Sequence, residues 1–83
     1  MNPKPSLIQC LVLHDIADDG VWFDLASGRW HSTHLVRDVS VQVEVLLRGA
    51  YIKIVDDQIS VTPIGKLVLD RRPLGELLER INR

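Results

Sequence analysis

The sequence predicts a small, mainly α-helical domain carrying one β-hairpin, an α+β fold. Three observations predict it. Apolar residues recur at helical spacing near the start, in the middle and at the end of the chain. Two β-prone runs, AYIKIV and QISVT, stand on either side of Asp56-Asp57, a polar pair suited to a tight turn. Gly49 before these runs and Thr62-Pro63 after them punctuate the chain where a helix must stop and another must start.

The first element opens at Ser6. Ser6 followed three residues later by Gln9 is a capping-box pattern, in which each side chain satisfies an orphan amide of the other residue. Leu7, Ile8, Leu11, Val12 and Ile16 follow at helical spacing, and Gly20 supplies a stop by accepting a left-handed conformation. A helix from about Leu7 to about Asp18 results. The run GVWFDLASGRW reads as a short strand over Val21–Leu25 with a Ser27-Gly28 turn, or as a helical turn over Trp22–Ala26. Ser32 then caps a short helix through Leu35, Val36 and Val39.

Val39, Val41, Val43 and Val45 alternate with Ser40, Gln42 and Glu44, which is strand periodicity. The same residues belong to a longer helical stripe of Leu35, Val36, Val39, Val43, Leu46, Leu47 and Ala50, and the longer pattern favours helix. After the hairpin, Thr62 caps a helix with Pro63 at its first position, where no amide donor is missed. Ile64, Leu67 and Val68 are its expected inward face. Pro73 bends or breaks this helix, and Leu74, Leu77, Leu78 and Ile81 continue an apolar stripe.

With 83 residues, the chain has room for one domain, 1–83, in which 1–5 reads as a flexible leader and 74–82 as a candidate dimerisation helix. At 46% hydrophobic and 25% charged it is too apolar for intrinsic disorder. No stretch approaches the ~18 apolar residues of a membrane span, and MNPKPS does not open a secretory signal. The single cysteine, Cys10, has no internal partner and fits a reducing, cytoplasmic setting, where it packs in the stripe of the first helix. The net charge of −1 excludes a uniformly basic coat. Charge is uneven, with three basic residues against six acidic in 1–45 and seven against five in 46–83, so an anion is expected on the second half.

The stretch VLLRGAYIKIVDDQISVTPIGKLVL, Val45–Leu69, resembles the recognition-helix end, wing and following helix of small bacterial winged helix-turn-helix regulators. The resemblance rests on Leu46-Leu47, Gly49, Tyr51-Ile52, the Asp56-Asp57 turn and Thr62-Pro63-Ile64-Gly65. It implies a winged helix-turn-helix with a three-helix core, a wing and a C-terminal helix. The implied function is sequence-specific binding of double-stranded DNA by a small transcriptional regulator, with no cofactor. Residues 21–38 depart from the pattern, lacking a clear helix and tight corner ahead of the recognition helix.

On that arrangement a recognition helix over about Ser40 to Arg48 buries Val39, Val43, Leu46 and Leu47. It turns Val41, Gln42, Glu44, Val45 and Arg48 outward. Gln42 and Arg48 suit base edges, Ser40 a phosphate, and Val41 and Val45 thymine methyls. Arg37 before the helix and Lys53 on the wing, with Lys66 and Arg71-Arg72 beyond, add positive charge, while Glu44 opposes phosphate. The rival reading is a protein-interaction face. Val41 and Val45 form an apolar pair between Gln42 and Glu44, and Leu74, Leu77, Leu78 and Ile81 offer either a homodimer contact or a helix that folds back on the first one.

The remaining constellations are weaker. His31 and His34 are three apart and Cys10, His14 and Asp15 lie upstream, yet the paired spacing of a zinc site is missing, so no metal is expected. His14, Asp15, Asp18 and Asp19 do not match a calcium loop and read as an acidic helix end in water. Trp22 and Trp30 read as core or interface anchors. With no phosphate loop and no placed nucleophile and base, an enzyme is not expected.

Overall fold

A computed structural model describes residues 5–81, the side chains of residues 80 and 81 excepted. Its order is α1 (Leu7–Ala17), β1 (Val21–Asp24), β2 (Arg29–Ser32), β3 (Arg37–Asp38), α2 (Ser40–Arg48), β4 (Ile52–Val55), β5 (Gln58–Val61), α3 (Pro63–Arg71) and α4 (Leu74–Ile81). The domain is therefore α+β, with four helices and two antiparallel sheets among the described residues. No helix among them is long and apolar enough to cross a membrane.

The capping box forms as its residues predict. Ser6 Oγ accepts the Gln9 amide at 3.3 Å, and Gln9 Oε1 accepts the Ser6 amide at 2.9 Å. The stop at the far end works differently from the expectation. Asp19, with φ 57°, takes the left-handed conformation, and Gly20 does not. Gly20 is needed because Asp15 lies against it: a Cβ there would overlap the Asp15 carboxylate.

The segment between α1 and α2 departs most from expectation. β1 and β2 pair antiparallel, Val21 opposite Ser32 and Asp24 opposite Arg29, and β3 joins with His31 opposite Asp38. The expected helix from Ser32 through Val39 is replaced by a turn and the short strand β3, so no helix lies between α1 and α2. Ser32 does cap, since its Oγ accepts the Leu35 amide at 3.0 Å, but it caps a turn. The Trp30 carbonyl accepts the Val39 amide at 2.8 Å, which draws Val39 alongside β2 and ends helical hydrogen bonding upstream of Ser40. The longer stripe thus resolves into a helix beginning at Ser40, and Val39–Val45 is not pleated.

Val12, Leu13 and Ile16 of α1, Val39, Val43 and Leu46 at the next layer, Val21 and Ile52 form the buried core. The buried residues Val39, at the N-cap, and Val43 and Leu46 of α2 are spaced by four and three, so Leu47, about 100° further round, is exposed and not buried as expected. The hairpin has Ile52 opposite Val61 and Val55 opposite Gln58. Asp56 and Asp57, at φ 51° and 60°, make the two-residue turn with both residues left-handed, as a type I′ turn requires.

Thr62 closes the hairpin and opens α3. Its Oγ1 donates to the Ala50 carbonyl at 2.6 Å and accepts the Gly65 amide at 3.2 Å. Gly65 rests against the Tyr51 backbone carbonyl, where a Cβ would overlap it. This close approach sets the rotation of α3. Gly65 is buried, Val68 and Leu69 are half-buried, and the expected inward residues Ile64 and Leu67 are exposed. α3 and α4 meet at Pro73. Leu77 of α4 packs with Cys10 and Leu11 in a second buried cluster, so α4 folds back on α1 of its own chain.

That placement removes Leu77 from any intermolecular face; Leu74 and Leu78 stay exposed. The Ile81 side chain and residue 82 lie outside the described residues. Of the expected leader, residues 1–4 lie outside them too, and Pro5 is buried, its carbonyl accepting from Arg72 at 3.4 Å.

Two glycine substitutions test this packing with opposite signs. Gly65→Ala is expected to destabilise the domain by about 1–3 kcal/mol through overlap with the Tyr51 backbone. Gly75→Ala, where the added methyl meets open space, is expected to stabilise it by about 0.4–1 kcal/mol. Chemical denaturation of both variants beside the parent chain reads the two signs.

Candidate nucleic-acid interface

The candidate surface consists of α2 and the β4–β5 hairpin that follows it. β2 holds the start of α2 in place. Ser40 Oγ accepts the Trp30 amide at 2.8 Å, and Asp38 Oδ1 accepts the Ser40 amide at 2.8 Å, supplying the cap that Val39 does not. Asp38 Oδ2 takes the Arg29 Nε–H at 2.6 Å. The Arg29 guanidinium, with the Ser40 amide behind it, holds the Asp38 carboxyl well below the usual carboxylate range. Arg29 was not among the residues singled out in the sequence. Its signal is positional only, because the partner Asp38 is reached through the pairing of β2 with β3.

The end of α2 is tied to the hairpin. The Leu46 carbonyl accepts the Tyr51 amide at 3.0 Å, and the Tyr51 carbonyl accepts the Thr62 amide at 3.0 Å. Gly49 is right-handed at φ −79°, and Ala50, at φ 63°, makes the reversal. These bonds place the base of the hairpin beside the last turn of α2.

Val43 and Leu46 are buried on α2, and Val41 (63% exposed), Glu44, Val45 and Arg48 face solvent. Gln42 is half-buried and not fully outward. Ser40 is also half-buried, and its oxygen already serves Trp30, so only its hydroxyl hydrogen is left for a phosphate. Arg48 donates to Glu44 Oε1 at 2.5 Å, one turn earlier on the same exposed face. Arg37 on β3 and Lys53 on β4 are exposed. Glu44 on α2 and Asp56 and Asp57 at the hairpin tip, all exposed, contribute negative charge on the same two elements.

The more distant cations divide. Lys66 and Arg71 are exposed on α3. Arg72 turns back into the domain, donating to the Pro5 carbonyl and lying 3.8 Å from Cys10 Sγ, and is not available to an external anion as expected. Trp30 packs against the core and Trp22 is exposed, stacked on His31 with ring centroids 5.0 Å apart. His14 Nε2 donates to the Arg72 carbonyl at 2.6 Å. Asp15 is 3% exposed, which corrects its reading as part of a solvated helix end. Among the described residues, no group of three or more His, Cys, Asp or Glu is placed to hold a metal ion.

No family model matches the chain, and neither a curated protein nor a solved structure matches it.

The depressed Asp38 carboxyl makes the start of α2 sensitive to acid. A folded-state value below the ordinary 3.8 stabilises the fold above that pH, and the contribution is lost as pH falls through the folded value. The stability gap between the parent chain and Asp38→Asn, which retains the acceptor for the Ser40 amide, should stay flat above about pH 5 and close as pH drops below about 4. Urea titrations across that range measure it.

Proposed function

We propose that the domain binds double-stranded DNA as a winged-helix module of the kind found in small transcriptional regulators. In this reading α2 enters the major groove and the β4–β5 hairpin is the wing beside it. One observation carries the reading: α2 is buried along a single stripe, its opposite face is open, and a hairpin leaves directly from its last turn. The open face offers Arg48 for a base edge or phosphate and Val41 and Val45 for thymine methyls. Arg37, on β3 just before α2, and Lys53, on β4, are exposed and suit phosphates. The strand pair in place of a preceding helix supports α2 through Trp30 and Asp38, the positioning role that the first helix of a helix-turn-helix pair fills elsewhere.

Arg48 must leave Glu44 to reach DNA, and three cations neutralise few phosphates. The electrostatic contribution is therefore small, and binding depends on low salt. A second reading is favoured by Glu44 on the same helix face as exposed Val41 and Val45, an arrangement that suits a partner protein carrying a basic group.

Fluorescence anisotropy with a labelled mixed-sequence duplex, between about 50 and 200 mM salt, separates the two. Three phosphate contacts give a slope of log affinity on log salt of about −3 per domain. Arg48→Ala should flatten it by about one, and Glu44→Gln, by freeing Arg48, should tighten binding. No binding at the lowest salt, with the parent chain and Glu44→Gln alike, would overturn the DNA reading and leave the protein one.

A further inference from the structure

We infer that an open cavity formed by α1, α4 and the turn before β3 binds an organic ammonium group carrying an apolar tail. The cavity measures about 500 Å³. Leu35, from the turn between β2 and β3, and Leu74 and Leu78 of α4 line it, with Asp15 and Asp18 at the end of α1 and His34 from the same turn as Leu35. A concave apolar surface with a few convergent polar groups is the ordinary form of a small-ligand site.

The chemistry of the ligand follows from Asp15. Its side chain is 2% exposed, so both carboxyl oxygens are largely withdrawn from water. Oδ2 accepts a hydrogen bond from Ser32 Oγ. Oδ1 is buried and makes no hydrogen bond. His34 Nε2 lies 3.2 Å from it, an ion-pair distance without hydrogen-bond geometry, and the same nitrogen lies 3.0 Å from Asp18 Oδ2. Two carboxylates from successive turns of one helix end thus converge on one point, and the fold already places a nitrogen there.

The His34 side chain is 60% exposed and hangs from a turn, so it can swing into solvent without disturbing the core. An alkylammonium is the better occupant. It carries a full charge and three N–H donors, enough to serve Asp18 and the unsatisfied Asp15 oxygen together. Its carbon chain then lies on Leu35, Leu74 and Leu78, which are partly exposed without it. A carboxylate or phosphate ligand is disfavoured by both aspartates. A hard metal ion is disfavoured by the leucine walls, which offer no oxygen. His34 acts as a built-in competitor that covers the buried carboxylate when the site is empty.

The test is a titration of the ¹⁵N-labelled chain with hexylammonium chloride, hexanol and sodium hexanoate at fixed ionic strength, followed by amide shifts at Leu35, Leu74 and Leu78. Saturable shifts are expected with hexylammonium, at least tenfold weaker shifts with hexanol and none with hexanoate. Asp18→Asn, on an exposed side chain that leaves the fold intact, should weaken hexylammonium several-fold. His34→Ala should strengthen it by removing the competitor. Asp15→Asn should abolish it, and Asp18→Asn keeps the idea testable if that variant fails to fold. Equal response to hexanol and hexylammonium, unchanged binding in Asp18→Asn or weaker binding in His34→Ala would each overturn the proposal. So would sedimentation showing a dimer that Leu78→Glu dissolves, because a second copy would then cover the leucines.

Discussion

The packing of α2 against α1 is the contact on which the rest of the structure depends. Val39, Val43 and Leu46 fill the surface offered by Val12, Leu13 and Ile16, and Ile52 closes the same cluster from the hairpin. Each of these side chains is almost wholly withdrawn from water. In a domain of this size no second core of comparable extent exists to compensate for its loss. Burying that stripe leaves the opposite face of α2 outward, and the bonds from Leu46 to Tyr51 and from Tyr51 to Thr62 then fix the hairpin beside it. The geometry proposed for DNA recognition is therefore a by-product of how the core closes.

The polar surroundings of α2 are less favourable to phosphate than its shape. Arg29 is spent on Asp38, Arg48 on Glu44 and Arg72 on the Pro5 carbonyl. The two carboxylate pairs are exposed, where an ion pair is worth little and exchanges readily with a stronger partner, whereas Arg72 is held within the domain. Of the aspartates, Asp38 caps α2, Asp56 and Asp57 form the hairpin tip, and Asp15, Asp18 and Asp19 gather at the end of α1. The charge asymmetry along the sequence is real, but the fold spreads it over several faces.

Punctuation residues made much of the fold legible. Ser6 with Gln9, Asp56-Asp57 and the Thr62 cap of α3 each act through bonds to residues three away, or through their own backbone angles, so a linear reading can find them. The helix from Ser40 to Arg48 was legible from the length of its stripe despite the alternating valines. The segment before it was not. Whether Ser32–Val39 forms a helix or a turn with β3 is decided by Trp30, whose carbonyl and amide reach across to Val39 and Ser40. Of the candidate interface, Val41, Glu44, Val45 and Arg48 were legible from helical spacing, and the partial burial of Gln42 and the ion pair with Glu44 were not.

By itself the sequence determined where α1 and α3 begin, where the chain reverses between β4 and β5 and that Ser40–Arg48 is helical, because these follow from local capping, turn geometry and periodicity. Only the tertiary structure decided how the helices are rotated and which polar groups are buried. Gly65 meeting the Tyr51 backbone turns Ile64 and Leu67 outward, Leu77 reaching Cys10 and Leu11 folds α4 inward, and Gly20 and Ser32 close over Asp15. Each depends on a contact between residues that the chain itself keeps apart, and a close approach of that kind leaves no periodic trace in the order of the amino acids.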